Sequence, residues 1–449
     1  MQIIPIGAAR EVTGSCFHIT SKKTQVLVDC GIFQGSTFAR SKNFEDFGFD
    51  PKQIDAVFVT HAHLDHTGRL PLLIKRGFKG KIYLTPPTLD LTRLVLEDSV
   101  EIMEMDHKRY YTPMLFTKKD VQQTLKYMHP ISDNGAICFK DLQIQFHNAG
   151  HILGSAFIQI TEQKGGTATF SGDLGNVNTP ILMQKDNLNN TDALFIESTY
   201  GNRIHEDPEQ RWIELKSAII KTIKQDGVLL IPAFAIERTQ ELLFELNNLV
   251  ENRLMPFVNI YLDSPMATEA TDIFKKYKKY YSKKALHLIA QGDKLFDFPG
   301  LQITKTKDQS KTINQADWPK VIIAGAGMMN GGRILHHLIR YLGNKRCTVL
   351  IIGYQASGTL GRKLYNGEKR LKVLNEFIEV KTNVTSIGGY SAHADQNMLI
   401  DWIKSAKVLP KHIFCTHGED EAAVALATRI KQDLNINAEA PRPGQIINI

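Results

Sequence analysis

Residues 56–66 read AVFVTHAHLDH, an apolar run followed at once by four potential metal ligands. The run predicts a buried strand, and the polar stretch after it predicts a turn into a helix. His61 and His63, two residues apart at the strand end, can point to the same side. Asp65 and His66, in the turn, can face a second metal about 3.5–4 Å from the first. Because imidazole and carboxylate ligands without thiolate suit zinc, the stretch predicts a zinc site.

Three further segments have a ligand-type residue where a strand ends and a loop begins. They are VLVDCG with Asp29, NAGHILGSA with His151 and TFSGDLG with Asp173. Each has an ordinary explanation when taken alone, because an Asp before Gly is commonly a turn residue and a His beside Gly commonly lies in a loop. Together with HAHLDH, they predict further members of one metal site.

The pattern of strands and helices divides the chain into three parts. In residues 1–203, short β-branched runs alternate with turns and two long helical stretches, which predicts sheet-rich α/β layers. In residues 204–376, helices alternate with near-continuous apolar runs such as VLLIPAF and CTVLIIG, which are typical of a parallel sheet covered on both faces. Short strands separated by loops return in residues 377–449. We therefore predict an α/β protein in which one domain is inserted into another.

The order of the ligand motifs resembles that of the metallo-β-lactamase superfamily, and residues 1–203 carry all four of its motifs. The resemblance implies an αββα sandwich. It also implies two zinc ions per chain. One ion would be held by His61, His63 and His151, and the other by Asp65 and His66. The carboxylate of Asp173 would bridge the two ions. Asp29 would orient the ligand loop from behind, as carboxylates outside a ligand set commonly do.

Three later motifs resemble those of the β-CASP group of this superfamily, in which a nucleic-acid-binding α/β domain is inserted into the lactamase fold. They contain Glu197 in ALFIESTYGNR, His393 in GGYSAHADQ and His417 in FCTHGED. With them the resemblance covers essentially the whole chain. It implies a lactamase domain that resumes after residue 376, an inserted β-CASP domain of mainly parallel sheet, and an active site where the two domains meet.

The resemblance also assigns roles to these residues. His417 would complete the ligand set of the second zinc ion, and a histidine at this position is usual in members that act on RNA. His393 would lie near Glu197 and act as a general acid. Phosphodiester cleavage needs a proton for the departing oxygen as well as a nucleophile, and a carboxylate neighbour stabilises the protonated form of a histidine.

We therefore expect a zinc-dependent ribonuclease in which a hydroxide between two zinc ions attacks phosphorus. His393 would protonate the leaving 3′ oxygen, so that the products carry 5′-phosphate and 3′-hydroxyl ends. Cleavage within the RNA is the favoured mode, and 5′-exonuclease activity is an open alternative. The predicted catalytic residues are Asp65, His393, Glu197 and Asp29.

Several positions late in the chain are candidates for phosphate contacts. They are the backbone N–H groups of Gly331 and Gly332, the guanidinium groups of Arg333 and Arg362, and the hydroxyl of Ser391. Tight packing at a strand end is the ordinary explanation of the glycines. The run FKKYKKYYSKK at residues 274–284 could bind RNA through lysines and stacked tyrosines. We favour the alternative, an amphipathic helix with its aromatic side chains in the core.

The composition sets the remaining expectations. A chain of 449 residues, 43% of them hydrophobic, can fill more than one core. The formal net charge of +7 suits a polyanionic partner but does not require one. The five cysteines never form C-x-x-C pairs, and there is no long apolar run or signal peptide, which together predict reduced thiols and a cytoplasmic protein. We expect single-stranded RNA as the partner, and a homodimer is an open alternative.

Three other functions remain open at this point. A DNA-directed β-CASP nuclease would be distinguished by comparing matched RNA and DNA strands. A hydrolase of small thioesters, esters or lactams would need HAHLDH but not a large inserted domain, since fold alone does not fix the substrate. A metal-free RNA-binding scaffold is disfavoured because every ligand position is filled, and the zinc content per chain would test it.

Overall fold

A computed structural model describes residues 1–35, 37–132, 135–177, 179–205, 208–353, 355–356 and 358–449. The described chain forms two compact units. The first consists of Met1–Val177, Gln184–Ile204 and His393–Ile449. The second consists mainly of His205–Ala392.

The first unit begins with elements that alternate between strands and helices. In chain order they are β1 (Gln2–Gly7), β2 (Cys16–Thr20), β3 (Gln25–Val28), α1 (Thr37–Ser41), β4 (Ala56–Phe58), α2 (Leu64–Thr67), α3 (Leu70–Lys75), β5 (Lys81–Leu84), α4 (Pro86–Tyr110), α5 (Lys118–Tyr127), β6 (Met128–Pro130), β7 (Ala136–Phe139), β8 (Leu142–Asn148), β9 (Ala156–Glu162), β10 (Thr167–Phe170) and β11 (Ala193–Glu197).

The second unit follows, and the chain then returns to the first. The elements of the second unit are α6 (Pro208–Lys224), β12 (Val228–Pro232), α7 (Arg238–Glu251), β13 (Asn259–Asp263), α8 (Pro265–Lys276), α9 (Lys283–Ala290), β14 (Leu301–Ile303), α10 (Lys307–Thr312), β15 (Lys320–Ala324), α11 (Ile334–Tyr341), β16 (Thr348–Ile352), α12 (Leu360–Tyr365), β17 (Arg370–Val373), β18 (Glu376–Glu379) and β19 (Asn383–Ile387). The returning elements are α13 (Gln396–Lys404), β20 (His412–Thr416), α14 (Asp420–Leu434), β21 (Asn437–Glu439) and β22 (Ile447–Asn448).

Two seven-stranded sheets form the body of the first unit, in the orders β22-β1-β2-β3-β4-β5-β6 and β21-β20-β11-β10-β9-β8-β7. Their inner faces share one apolar core, in which the ring of Phe17 lies 5.0 Å from that of Phe170 in the facing sheet. Helices α3 to α5 cover one outer face through side chains such as Leu73 and Leu96. Helices α13 and α14 cover the other. Burial of apolar side chains between the two sheets, and between each sheet and the helices that cover it, stabilises the αββα sandwich that the resemblance implies.

A six-stranded sheet in the order β14-β13-β15-β12-β16-β19 forms the second unit, and every pairing in it is parallel. All residues of β12, β15 and β16 are buried. A strand buried on both faces has no polar alternation, which is why these runs are almost entirely apolar in the sequence. The prediction of an inserted α/β domain with a mainly parallel sheet is therefore confirmed.

The second compact unit extends beyond residue 376, where the sequence predicts the inserted domain to end. The sequence predicts that the lactamase part resumes at residue 377, whereas the structure includes residues 377–392 in the second unit. The physical reason is β19, which pairs in parallel with β16 along its whole length. Because β19 is a largely exposed edge strand, its sequence has no apolar run that would mark it as part of a parallel sheet.

The lysine- and tyrosine-rich run does not form one helix. Helix α8 ends at Lys276, and Tyr280 and Tyr281 are 9% and 2% exposed. The Tyr281 hydroxyl donates to the carbonyl of Phe274 at 2.8 Å. These two tyrosines are core residues, so they are not available to stack on bases.

All five cysteines are free thiols, and only Cys138 is exposed. No helix in the described ranges combines the length and apolar character needed to cross a membrane.

Candidate metal centre

The first ligand motif lies where β4 runs into helix α2. His61 and His63 follow the strand, and Asp65 and His66 belong to the first turn of the helix. Gly31 packs directly against this turn, because a Cβ atom there would lie 1.6 Å from the carbonyl oxygen of Asp65. The close approach of the two backbones therefore requires glycine at this position.

Further candidate residues follow the second sheet. Strands β10, β11 and β20 are parallel neighbours, so their carboxyl ends lie at the same edge. Asp173 follows β10, Glu197 is the last residue of β11, and His417 directly follows β20. His151 lies in the loop after β8. Parallel pairing thus collects side chains that are far apart in the sequence.

Asp173 lies at the centre of the cluster, and its two oxygens face different histidines. Oδ2 is 3.3 Å from His61 Nε2 and 3.5 Å from His151 Nε2. Oδ1 is 3.4 Å from His66 Nε2 and 3.5 Å from His417 Nε2. One carboxylate therefore serves two groups of imidazoles, as a bridging ligand must.

The donor atoms fit metal binding. His61, His63, His151 and Asp173 each offer a ligand atom within 4.8 Å of the others, and Asp65, His66 and His417 form a second such group. In the second group, two ring nitrogens, His66 Nε2 and His417 Nε2, face each other at 3.0 Å. Among the described residues, Asp173 Oδ1 is buried without a hydrogen-bond partner. A cation between these groups would satisfy the carboxylate and the converging ring nitrogens together.

Three of the candidate ligand histidines have lowered pKa values, which favour the neutral imidazole. Burial lowers the pKa of His61 and brings that of His63 to about 3, with charged neighbours contributing. Burial and His393 lower the pKa of His151 well below its usual value. Neutral imidazoles carry the lone pair that binds a metal.

Among the remaining candidate ligands, a low pKa favours the negative charge of Asp173, and raised pKa values favour the positive charge of His66 and His417. Burial opposes ionisation of Asp173, but the neighbouring histidines hold its pKa well below the usual range. Burial likewise opposes the protonated form of His66, yet Asp173 and Asp29 raise its pKa well above the usual value. Asp173 raises the pKa of His417 in the same way. The carboxylates thus favour positive charge at this point, which a divalent cation would supply.

Asp29 lies behind the ligands and holds His66. The His66 Nδ1–H donates to Asp29 Oδ2 at 2.7 Å. The backbone N–H of Thr60 donates to Asp29 Oδ1 at 2.8 Å, and the Thr60 hydroxyl donates to Oδ2 at 2.9 Å. Asp29 has a φ of 61°, a strained conformation for a residue with a Cβ atom. These contacts support the predicted role of Asp29 in orienting the ligand loop.

His393 and Glu197 form a second arrangement beside the cluster. His393 Nδ1 is 3.0 Å from Glu197 Oε2 and 3.9 Å from Asp173 Oδ2. Glu197 is fully buried, and the backbone N–H of Leu174 donates to its Oε1 at 2.6 Å. Burial opposes the charge on His393, but Glu197 and Asp173 outweigh it and raise the pKa of His393 to about 9. The predicted acid and its carboxylate partner are therefore in contact.

Comparison with protein families matches nearly all of the chain. The metallo-beta-lactamase superfamily matches residues 9–223, the Beta-Casp domain residues 239–364, and the Zn-dependent metallo-hydrolase RNA specificity domain residues 378–441. Ribonuclease TTHA0252 of Thermus thermophilus is 38% identical over 95% of this chain and 95% of its own length. The chain belongs to the β-CASP ribonuclease family. It is accordingly a metal-dependent hydrolase.

A second relative and a solved structure are also similar to the chain. Transcription termination factor FttA of Methanosarcina mazei is 32% identical over 98% of this chain and 70% of its own length. A crystal structure of a protein of unknown function from Enterococcus faecalis V583 has a TM-score of 0.60, with 11% identity and 99% of both chains covered. At that identity, the second likeness concerns the fold alone.

The predicted phosphate clamp Arg333 has internal partners in this β-CASP protein. Its guanidinium donates to Asp263 Oδ1 at 2.7 Å and to the carbonyls of Thr304 and Lys305, each at 2.9 Å. The side chain is 18% exposed. Arg333 therefore belongs to a network with Asp263, whose buried carboxylate His337 also contacts, and its contact with phosphate stays a prediction.

The other predicted phosphate contacts differ among themselves. Gly332 has a φ of 74°, and a Cβ atom there would lie 2.3 Å from the carbonyl oxygen of Gly325, so tight packing explains this glycine. Gly331 faces open space. Ser391 is buried, at 5% exposure, and Arg362 is half-buried in α12. All five positions belong to the second unit.

Some residues of the site were not predicted from the sequence. Thr60 bonds Asp29 and lies 3.1 Å from His61 Nδ1 through its hydroxyl, and Thr199 Oγ1 lies 3.2 Å from His417 Nδ1. Ser15 donates to Asp29 Oδ2 at 3.3 Å. Thr60 and Thr199 adjoin predicted motifs in the sequence, so their positions could have indicated that they belong to the site. Nothing in the sequence marks Ser15.

Replacing Asp29 by Asn is expected to lower zinc affinity by about 10- to 100-fold, because the substitution removes the negative charge that holds the His66 Nδ1–H. Competition with a chelating dye measures the change. Asp263→Asn is a matched control, since it removes another fully buried carboxylate bonded to a histidine, here His337 at 2.7 Å. Equal zinc affinity in the Asp29 variant and the wild type would contradict the orienting role.

Proposed function

We propose that this protein is a zinc-dependent ribonuclease that hydrolyses phosphodiester bonds within single-stranded RNA and leaves 5′-phosphate and 3′-hydroxyl ends. The observation that carries the proposal is the bond of 3.0 Å between His393 and Glu197, beside a cluster of metal-ligand residues. A hydrolase of small esters with good leaving groups does not need such a general acid, because a good leaving group departs without being protonated. The ribonuclease from Thermus and the match to an RNA specificity domain support RNA as the substrate.

We propose a two-zinc centre in which Asp173 is shared by both ions. The further ligands would be His61, His63 and His151 for one ion, and Asp65, His66 and His417 for the other. When bound, zinc lowers the pKa of water toward 7 and offsets negative charge that develops on phosphoryl oxygens. The mixed set of imidazoles and carboxylates supports zinc over magnesium or calcium, which prefer oxygen ligands.

His393 supplies the proton for the leaving group in this mechanism. Its Nδ1–H donates to Glu197, so in the protonated ring the second proton is on Nε2 and can pass to the 3′ oxygen as the bond from phosphorus to that oxygen breaks. The oxygen of water becomes part of the new 5′-phosphate. Glu197 stabilises the protonated ring and fixes its orientation, because Leu174 and Ser171 hold the carboxylate and its backbone.

Asp29 and Thr199 act through the ligands. Asp29 holds Nδ1 of His66 and Thr199 contacts Nδ1 of His417, so that Nε2 of each ring faces Asp173. Such partners fix the tautomer and orientation of a ligating histidine.

We also propose that the protein acts in the cytoplasm, which its free thiols support.

Cleavage of 5′-labelled single-stranded RNA and its DNA counterpart tests the proposal. We expect internal cuts in RNA, little cleavage of DNA, and products whose 3′ ends are extended by a polymerase because they carry free hydroxyls. The matched control is the same RNA with one 2′-deoxy residue on the 5′ side of the cut, which should still be cleaved, since the 2′-hydroxyl is not the nucleophile. Detection of 2′,3′-cyclic phosphate ends would overturn the mechanism.

A further inference from the structure

A buried cluster of three side chains in the second unit holds the segment that leads to His393. Tyr390 is fully buried, and its hydroxyl donates to a carboxylate oxygen of Glu245. The other oxygen of Glu245 accepts from Nε of Arg211 at 2.6 Å. The Arg211 guanidinium also lies over the Tyr390 ring, 5.3 Å from its centroid. The three contacts close a triangle in which each side chain touches the other two.

The members of this triangle come from distant parts of the second unit. Arg211 belongs to α6, the first helix after the chain enters this unit, and Glu245 belongs to α7. Tyr390 ends a short 3-10 helix, Gly388–Tyr390, close to the point where the chain leaves the unit after Ala392. The triangle therefore ties the last segment of the second unit to its first helix, three residues before His393.

The chain after His393 is held separately, within the first unit. The backbone N–H of Ala394 donates to the carbonyl of Leu174 at 2.8 Å, and His393 itself forms an isolated antiparallel bridge with Gly175. The Asp395 carboxylate then caps α13 by accepting from the backbone N–H of Met398 at 2.9 Å. Along the chain, His393 therefore follows the Tyr390 anchor by three residues and directly precedes a segment that is held within the first unit.

We propose that Tyr390, held by Glu245 and Arg211, is a positioning residue for His393. By fixing the chain on the N-terminal side, it keeps the imidazole bonded to Glu197. Misplacing a catalytic group by about 1 Å can reduce a rate on the order of a hundredfold, so an anchor three residues away has measurable influence. The inference rests on the general-acid role of His393 in the proposed function.

The chemistry of the triangle suits a permanent anchor. Burial and the Glu245 carboxylate raise the pKa of Tyr390 well above its usual value, so its hydroxyl stays protonated and donates. The side chains of Arg211 and Glu245 are only 7% and 8% exposed. A buried, charge-assisted network with little access to water has few alternative arrangements, which favours a single position of the segment that follows.

Tyr390→Phe tests the inference in the full-length, zinc-loaded protein, because it removes the hydroxyl but keeps the ring over which Arg211 lies. We expect kcat for RNA to fall by about tenfold or more, with KM within about twofold and zinc content unchanged. Hydrolysis of bis(p-nitrophenyl) phosphate is measured in parallel. Its leaving group departs as a stable anion without a proton, so loss of acid catalysis should spare this substrate.

Two further variants complete the design. Tyr281→Phe is the matched control, since it also removes a buried hydroxyl bond in the second unit, to the Phe274 carbonyl at 2.8 Å, and it should cleave RNA at the wild-type rate. Glu245→Gln keeps an acceptor for Tyr390 but weakens the ion pair with Arg211. It should slow RNA cleavage selectively and less than Tyr390→Phe, and it replaces that variant if the latter does not fold.

The outcomes separate the inference from the proposed function. If His393→Ala slows RNA but spares the aryl diester, while Tyr390→Phe and Glu245→Gln slow both substrates equally or neither, the positioning role is wrong and the general acid stands. If His393→Ala itself slows both substrates equally, the acid role fails and the inference is overturned with it. A selective loss for RNA in all three variants, with Tyr281→Phe unaffected, supports the inference.

Discussion

The His393→Ala variant will cleave RNA with kcat lowered by about 10²- to 10⁴-fold, while it retains the zinc content of the wild type. The loss follows because the variant has no group to protonate the leaving 3′ oxygen. Zinc remains because His393 belongs to none of the three groups of converging ligand residues, and its Nδ1 bonds Glu197 at 3.0 Å. Single-turnover cleavage of labelled RNA, with zinc measured by mass spectrometry on the same samples, checks both parts.

Two controls sharpen this experiment. His147→Ala removes another imidazole of the first unit, one that bonds Asn189 and stacks on Phe157, and it should leave the rate unchanged. Bis(p-nitrophenyl) phosphate should be hydrolysed by His393→Ala at nearly the wild-type rate. A His393 variant that loses zinc, or that cuts RNA as fast as the wild type, would show that this residue is not the acid.

Asp173→Asn is expected to have the second largest effect, a loss of RNA cleavage of at least about a thousandfold, together with reduced zinc content. The figure corresponds to about 4 kcal/mol of lost transition-state stabilisation, which is the scale of metal-ion catalysis. The reason is that each oxygen of Asp173 faces two histidines. An amide offers one oxygen and an NH₂ group that cannot bind a cation, so at least one group of ligands loses its carboxylate.

The matched control for this change is Asp141→Asn. Asp141 lies in the first unit and accepts hydrogen bonds from Ser21 and Thr24, but it is in none of the three groups of converging ligands. We expect it to keep both zinc and activity. Metal content and cleavage rates are again measured together, and an Asp173→Asn protein with wild-type zinc content and rate would refute the bridging role.

The sequence predicted the strands of the first unit and the candidate ligands at their ends because the relevant signals are local. The HAHLDH motif follows an apolar strand directly, so His61 and His66 could be assigned to a strand end and a helix start from a few residues. Asp173 and His417 also follow apolar strands. The order of the ligand motifs in the chain predicted one site, to which the resemblance added His417, and the structure brings these residues together because β10, β11 and β20 are parallel neighbours.

Other features were decided only by the tertiary structure. Arg333 is a predicted phosphate contact, and only the folded chain shows that it also bonds the buried carboxylate of Asp263, 70 residues away. Tyr280 and Tyr281 are core residues, as the favoured interpretation of the lysine- and tyrosine-rich run predicts, but the tertiary structure ends α8 at Lys276, so that the run does not form one helix. The parallel pairing of β19 with β16 decides where the second unit ends, although β19 has the polar pattern of an edge strand.

The α/β layers, the apolar runs of a parallel sheet and the candidate ligands at strand ends could be predicted from the sequence by itself, because they follow from short-range periodicity and from local motifs. The insertion of one domain into the other and the pairing of His393 with Glu197 were implied by the resemblance to the β-CASP group, and the ligand assignments stay a prediction. Only the tertiary structure decided which histidines each oxygen of Asp173 faces, that Thr60 and Ser15 hold Asp29, and that Tyr390 is anchored by Glu245 and Arg211. The physical reason is that a buried charge or hydroxyl must find a partner, and the path of the whole chain determines which distant group that partner is.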